Sequence, residues 1–223
     1  MNTSVTNTAR LLGAGLRALL VLTLVTGVLY PLAVTGIGQG LFPDRANGSE
    51  ITAADGKVVG SSLIGQAYDL PLKGGQETPE PDLKWFQGRP ANGLGTNSVN
   101  TRYELILSGA TNRAADNAEL VQWVKDAKAA VIKDNSVDGY TVNPADVPAD
   151  AVTSSGSGLD PDISPQYAEI QVHRVAERNG LSAAQVGKLV DAHTDGRQLG
   201  FLGEPRVNVL ELNTALKALV AGR

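Results

Sequence analysis

No charged side chain occurs from Ala18 to Pro43, a gap of 26 residues, and Leu19 to Leu29 within it consists of Leu, Val, Thr and Gly. As a helix rising 1.5 Å per residue the gap extends about 39 Å, against a bilayer hydrocarbon core of roughly 30 Å. A membrane-spanning helix over 18–40 is therefore predicted. Neither face of the stretch carries a polar stripe, which disfavours a buried core helix. The other candidate is a cleaved signal peptide, but Ala33-Val34-Thr35 after Pro31 only poorly imitates a small-x-small cleavage site. Pro31 removes a helix hydrogen bond and is expected to kink the span. Gly13, Gly15 and Gly27 offer small surfaces for packing on another membrane helix, although no two of them stand four residues apart.

The charges on either side of the gap set an expected orientation. Arg10 and Arg17 precede it, and Asp44 and Arg45 follow it. The positive-inside rule then predicts a cytoplasmic N-terminus over 1–17 and an extracytoplasmic portion over 41–223. Of 19 basic and 23 acidic side chains in the chain, all but those two Arg lie beyond the gap, leaving a net charge of −6 outside. With no cluster of Lys or Arg, a nucleic-acid partner is not expected. The chain has no Cys, which excludes disulfides, thiolate metal sites, Cys nucleophiles and iron–sulfur clusters.

The outer portion reads as a single α+β domain. Asp55-Gly56 between Glu50-Ile51-Thr52 and Lys57-Val58-Val59 predicts a β-hairpin, and Gly60 to Gln66 continues or ends its second strand. Five Pro and Gly residues between Pro71 and Asp82 predict a mobile surface loop. Trp85-Phe86 reads as a core anchor in a sequence this poor in aromatics. Leu120, Val121, Val124, Ala127, Val131 and Ile132 recur at helical spacing within 117–133. The passage 141–158, rich in Pro, Gly and Ser, reads as a linker between two helical groups. Ser164-Pro165 predicts a capped helix start and Asn179-Gly180 its end. Ser182 with Gln185 fits a capping box, and a terminal helix is expected through Leu210, Leu212, Leu216 and Leu219.

Motifs for self-sufficient chemistry are missing from the sequence. There is no GxxxxGK[ST] phosphate loop, no GxGxxG and no GxSxG. His173 and His193 fall on different predicted helices, so both read as surface or core-edge residues. Asp160 and Asp162 beside Pro161 suit a turn better than a cation loop, which needs more oxygens. The helix start after Ser164 presents N–H groups that suit an anion, but an ordinary capped helix is the preferred reading. No catalytic residue and no metal site are assigned. On the residues alone, a membrane-anchored ligand-binding domain remains open, as does an anchored hydrolase or transferase using His173, Asp160 or Ser157.

Four strings taken in order resemble the KdpC family, the accessory C subunit of bacterial potassium-transporting P-type ATPases. They are Val28-Leu29-Tyr30-Pro31-Leu32 with Phe42-Pro43 and Ala46-Asn47-Gly48-Ser49; Gly60-Ser61-Ser62-Leu63-Ile64-Gly65-Gln66 with Phe86-Gln87-Gly88-Arg89-Pro90; Ser155 to Pro165 with Gln171 and Arg174-Val175-Ala176; and Gly203 to Asn213 with Ala215-Leu216. Departures occur at Ala91, at Tyr103 to Leu107, in Ser108-Gly109-Ala110-Thr111-Asn112, and at Tyr167, where the family usually has a small residue. The resemblance implies an accessory subunit in the bacterial cell membrane beside two partners, a channel-like potassium-binding subunit and an ATP-hydrolysing P-type subunit. It also implies a catalytic chaperone role, raising the ATP affinity of the hydrolysing subunit through a ternary complex. By that resemblance Gln171 is the position to test against ATP, and Tyr30, Pro31, Gly156, Gly158, Asp160, Pro165, Gln171 and Arg174 are expected to meet partners. The expected orientation puts 41–223 on the side away from cytoplasmic ATP, which favours an indirect influence.

Overall fold

The computed structural model describes residues 3–74, 78–91, 95–96, 106–109 and 111–222, and the chain divides into two units, Met1–Glu50 and Ile51–Arg223. In the first, α1 (Thr3–Leu24) passes through a π-helical turn (Val25–Leu29) into α2 (Tyr30–Leu41). This helix is long and apolar enough to cross a membrane over Ser4–Leu41, 38 residues. It begins well before Ala18 because Arg10 and Arg17 are good helix formers and Leu11, Leu12 and Leu16 continue the apolar surface. Its Leu side chains are exposed all round, as befits a helix surrounded by lipid or by other helices. The expected disturbance at Pro31 takes the form of the π turn directly before it, where the Tyr30 N–H donates to the Val25 carbonyl. A short helix, α3 (Pro43–Ala46), follows, and Gln39 Nε2 donates to Asn47 Oδ1 at 3.0 Å.

In the second unit β1 (Glu50–Thr52) and β2 (Val58–Ser61) form the expected hairpin, closed by the Ala53 N–H donating to the Lys57 carbonyl at 2.9 Å. β3 (Gly95–Thr96) pairs antiparallel with β4 (Ile106–Leu107). The expected mobile loop over 71–82 is anchored at its base, where the Leu70 N–H donates to Glu80 O and the Asp82 N–H to Tyr68 O, both at 2.8 Å. Residues 75–77 of that loop, and 103–105 and 110 of the divergent stretch, lie outside the described residues.

The core is helical. α4 (Ala118–Asn135) starts at Asn117, whose side chain accepts from the Glu119 and Leu120 N–H groups. α5 (Pro165–Asn179) starts at Ser164 and ends at Gly180, which adopts φ +64°. α6 (Ala183–Ala192) carries the full Ser182/Gln185 capping box, and α7 (Val209–Ala221) is capped by Asn208. Between them β5 (Asp162–Ile163), β7 (Arg206–Asn208) and β6 (Thr194–Asp195) form an antiparallel sheet in the order β5-β7-β6. Phe86, Val175, Val186, Val207, Leu212 and Leu216 are completely buried where these elements meet. Each such side chain contributes about 1.5–3 kcal/mol of burial free energy.

The 141–158 passage departs from its reading as a linker. Pro144–Asp146 and Ala149–Ala151 form single 3-10 turns, and Val142 and Ala151 are each 2% exposed. Its polar side chains serve its own backbone. Asn143 Oδ1 accepts from the Ala145 N–H at 3.1 Å, and Thr153 Oγ1 donates to Ala149 O at 2.7 Å. Pro, Asn, Asp and Thr here build turns rather than a flexible tether.

Candidate functional site

Two polar residues of α5, Gln171 and Arg174, sit on its buried side, facing the segment 83–87. Gln171 is fully buried, and its amide pairs with one backbone unit like a strand neighbour: Oε1 accepts from the Gln87 N–H at 2.7 Å and Nε2 donates to Gln87 O at 3.0 Å. Asn213 of α7 does the same to Phe86, with both bonds at 2.9 Å. Arg174, 1% exposed, donates to Asn135 Oδ1 at 2.8 Å, to Gln171 Oε1 at 2.7 Å, to Trp85 O at 3.0 Å and to Leu83 O. The guanidinium is thus held by four neutral acceptors. Burial brings it down to about 10, with Tyr167 and Asp134 opposing, so it is charged at neutral pH.

Above this layer lies a cleft of about 810 Å³ bordered by Gly65, Arg89, Asp134, Gly158, Asp160 and Arg174, among others. The Ser155–Asp160 loop on its rim uses its own donors. Ser155 Oγ accepts from the Gly158 N–H at 2.9 Å, Ser157 Oγ from the Leu159 N–H at 3.0 Å, and Asp160 Oδ1 from the Asp162 N–H at 3.1 Å. Arg89 pins the loop from outside, with Nη1 2.9 Å from Asp160 Oδ2. The start of α5 is occupied as well, since Asp150 accepts from the Ser164 N–H at 2.7 Å and from its hydroxyl at 3.0 Å. A carboxylate there is favoured by the helix dipole. The rim is therefore a built turn rather than an open phosphate cradle.

The candidates in the second unit divide by depth. Gly158, Asp160 and Arg174 border the cleft, Gly156 is exposed on the rim, Pro165 is half-buried in the first turn of α5, and Gln171 lies beneath the surface. Tyr30 and Pro31 are exposed on the N-terminal helix. His173 stacks on Tyr140 with ring centroids 4.0 Å apart, and His193 Nδ1 lies 2.9 Å from Leu189 O. Among the described residues no group of three His, Asp or Glu side chains is arranged for a metal. Asp162 pairs with Arg206 Nε at 3.1 Å, and burial nonetheless raises its carboxyl above the ordinary range. Arg89, Asn135, Asp150 and Asn213 were not singled out as individual site residues from sequence. Arg89 and Asn213 lie inside the quoted family strings, which was the only signal for them.

Tyr167 supplies a pH prediction. Burial pushes its hydroxyl up to about 12, and the Arg174 guanidinium only partly offsets this. A folded-state value above the unfolded one, near 10, means that the protonated phenol's contribution is full below pH 10 and is lost as pH rises toward 12. Tyr167→Phe is expected to flatten stability against pH between 10 and 12, measured by denaturant unfolding in detergent across that range. An unchanged slope would show that Tyr167 titrates at its ordinary value.

The family model for KdpC, the c chain of the K+-transporting ATPase, matches residues 12–218. A potassium-transporting ATPase KdpC subunit from Streptomyces avermitilis is 81% identical over 99% of both chains, and one from Streptomyces coelicolor is 77% identical over 99% of this chain and 98% of its own. A more distant one, from Kineococcus radiotolerans, is 44% identical over 98% of each. The match spans the apolar helix and the second unit alike, so the chain belongs to the KdpC family.

Proposed function

We propose that this chain is the accessory, non-catalytic subunit of an ATP-driven, high-affinity potassium import complex, anchored by residues 18–40 with the outer unit on the extracytoplasmic side. The observation that carries the reading is the near-full-length match to subunits named for that ATPase. The partners are a channel-like potassium-binding subunit and an ATP-hydrolysing subunit. Tyr30 and Pro31 in the span, with Gly156, Gly158, Asp160 and Pro165 around the rim, are the surfaces assigned to them. Gln171 is fully buried and bonded to Gln87 and Arg174, which supports a role in shaping the domain and an indirect promotion of ATP use. The net charge of −6 enriches potassium only slightly, within about 8 Å of the surface at physiological salt.

Two measurements test this. The tagged full chain is expected to copurify with two larger membrane proteins, and its deletion to abolish potassium-dependent ATPase activity. Single cysteines at Ser49 and Ser157, introduced into a chain that has none, are expected to react with a membrane-impermeant maleimide in intact cells. Labelling only after the cells are opened, with a denatured control for burial, would reverse the orientation and restore direct nucleotide contact. Purification as a lone protein would favour the standalone ligand-binding domain.

A further inference from the structure

The π turn and Pro31 together leave the Thr26 carbonyl without a backbone donor from its own helix. In an α register the Thr26 carbonyl would accept from the Tyr30 N–H, but that N–H donates to Val25 O. In a π register it would accept from residue 31, and Pro31 has no N–H. Pro31 likewise denies the Gly27 carbonyl its α donor. The Thr26 hydroxyl is committed elsewhere, donating to Leu22 O at 2.7 Å. Thr26 lies nine residues beyond Arg17, or about 14 Å along the axis, close to the middle of a hydrocarbon core roughly 30 Å thick. Water does not reach that depth, and an unpaired carbonyl there costs several kcal/mol.

We propose that the Thr26 carbonyl is a docking point for a transmembrane helix of another protein that presents a side-chain hydrogen-bond donor, a hydroxyl, amide or indole, at mid-membrane depth. The surface is open to such an approach. A Cβ added at Gly27 would meet nothing closer than Thr23 Cγ2 at 3.9 Å, and Tyr30 flanks the spot at 67% exposure. Complementarity selects the partner. A helix with a surplus acceptor fits a helix with a surplus donor, and the near-full-length match to a subunit of a larger ATPase favours a helix of another protein over a second copy. The inference rests on the reading that residues 18–40 cross the membrane within a multi-subunit complex.

The test uses the tagged full chain produced with its partners in cells. A photo-crosslinking residue at Gly27 or Tyr30 is expected to capture a different membrane protein, and one at Leu24 or Val28, across the helix from Thr26, is not. Pro31→Leu supplies the missing N–H and returns the helix to α register, so the acceptor no longer needs an outside donor. It is expected to lower the partner retained through detergent washing by roughly threefold or more, with the same amount of chain in the membrane. Unchanged retention in Pro31→Leu, equal capture from both sides of the helix, or capture of a second copy would each overturn the inference while leaving the subunit reading intact. A wild-type chain that retains no partner would instead overturn the subunit reading itself, and the docking point with it.

Discussion

Arg174→Met is expected to cost the second unit about 3–5 kcal/mol, because the guanidinium is the shared donor to several buried neutral oxygens. The substitution preserves much of the volume but leaves Leu83 O and Asn135 Oδ1 without their donor, and takes one of two donors from Trp85 O and Gln171 Oε1. An unmade bond to a buried acceptor costs about 1–3 kcal/mol, so these losses together exceed what the added methionine packing returns. For a unit of this size the loss corresponds to a fall in melting temperature of roughly 10 °C, measurable by circular dichroism on the full chain in detergent. Arg174→Lys keeps the charge but offers a compact ammonium in place of a planar fork, and is expected to fall between the two. A methionine variant melting within about 2 °C of the native chain would show that Arg174 does not hold the 83–87 segment in place.

Gly65→Ala is the second large effect, and its cause is steric. A Cβ at position 65 would stand 2.5 Å from the Asp160 carbonyl oxygen, 3.0 Å from its carbon and 3.2 Å from Leu159 O. All three are backbone atoms, which cannot swing aside as a side chain would. The Gly65 N–H also donates to Leu159 O at 2.8 Å, so relief of the clash breaks that bond. We expect a loss of about 2–3 kcal/mol from overpacking and the broken bond together. Gly88→Ala is the control, because nothing lies within 4 Å of its added Cβ, and it should stay within about 0.5 kcal/mol of native. Hydrogen exchange at the position 65 amide separates a local release of the rim from global unfolding: local release accelerates that amide alone. Equal stability of the two variants would show that the 64–66 segment is not held against 159–160.

Local signals carried most of the helical framework. Ser164-Pro165 and Gly180 bounded α5, Ser182 and Gln185 bounded α6, and Asp55-Gly56 marked the hairpin, because each acts on its own backbone within a few residues. The interior of the site was less legible. In sequence Gln171 and Arg174 look like the wet side of an amphipathic α5. They are buried because a segment more than eighty residues earlier lays its carbonyls over them. The same limit explains the misread 141–158 passage: Pro, Asn and Ser specify turns, but not that Val142 and Ala151 find a core to enter. The clash at Gly65 depends on Asp160 and has no trace in either local string.

The paired amides of Gln171 and Asn213 also dictate an order of events during synthesis. They grip adjacent residues, Gln87 and Phe86, across separations of 84 and 127 positions. Closing loops of that size costs conformational entropy before any contact rewards it, which slows folding. The Phe86 backbone cannot be satisfied until α7 has emerged, so the apolar segment around it waits uncovered while more than half the chain is still being made. Such an intermediate exposes aggregation-prone surface. The last helix of the chain is thus the one that ends this exposure, by covering Phe86 with Asn213 and its neighbours.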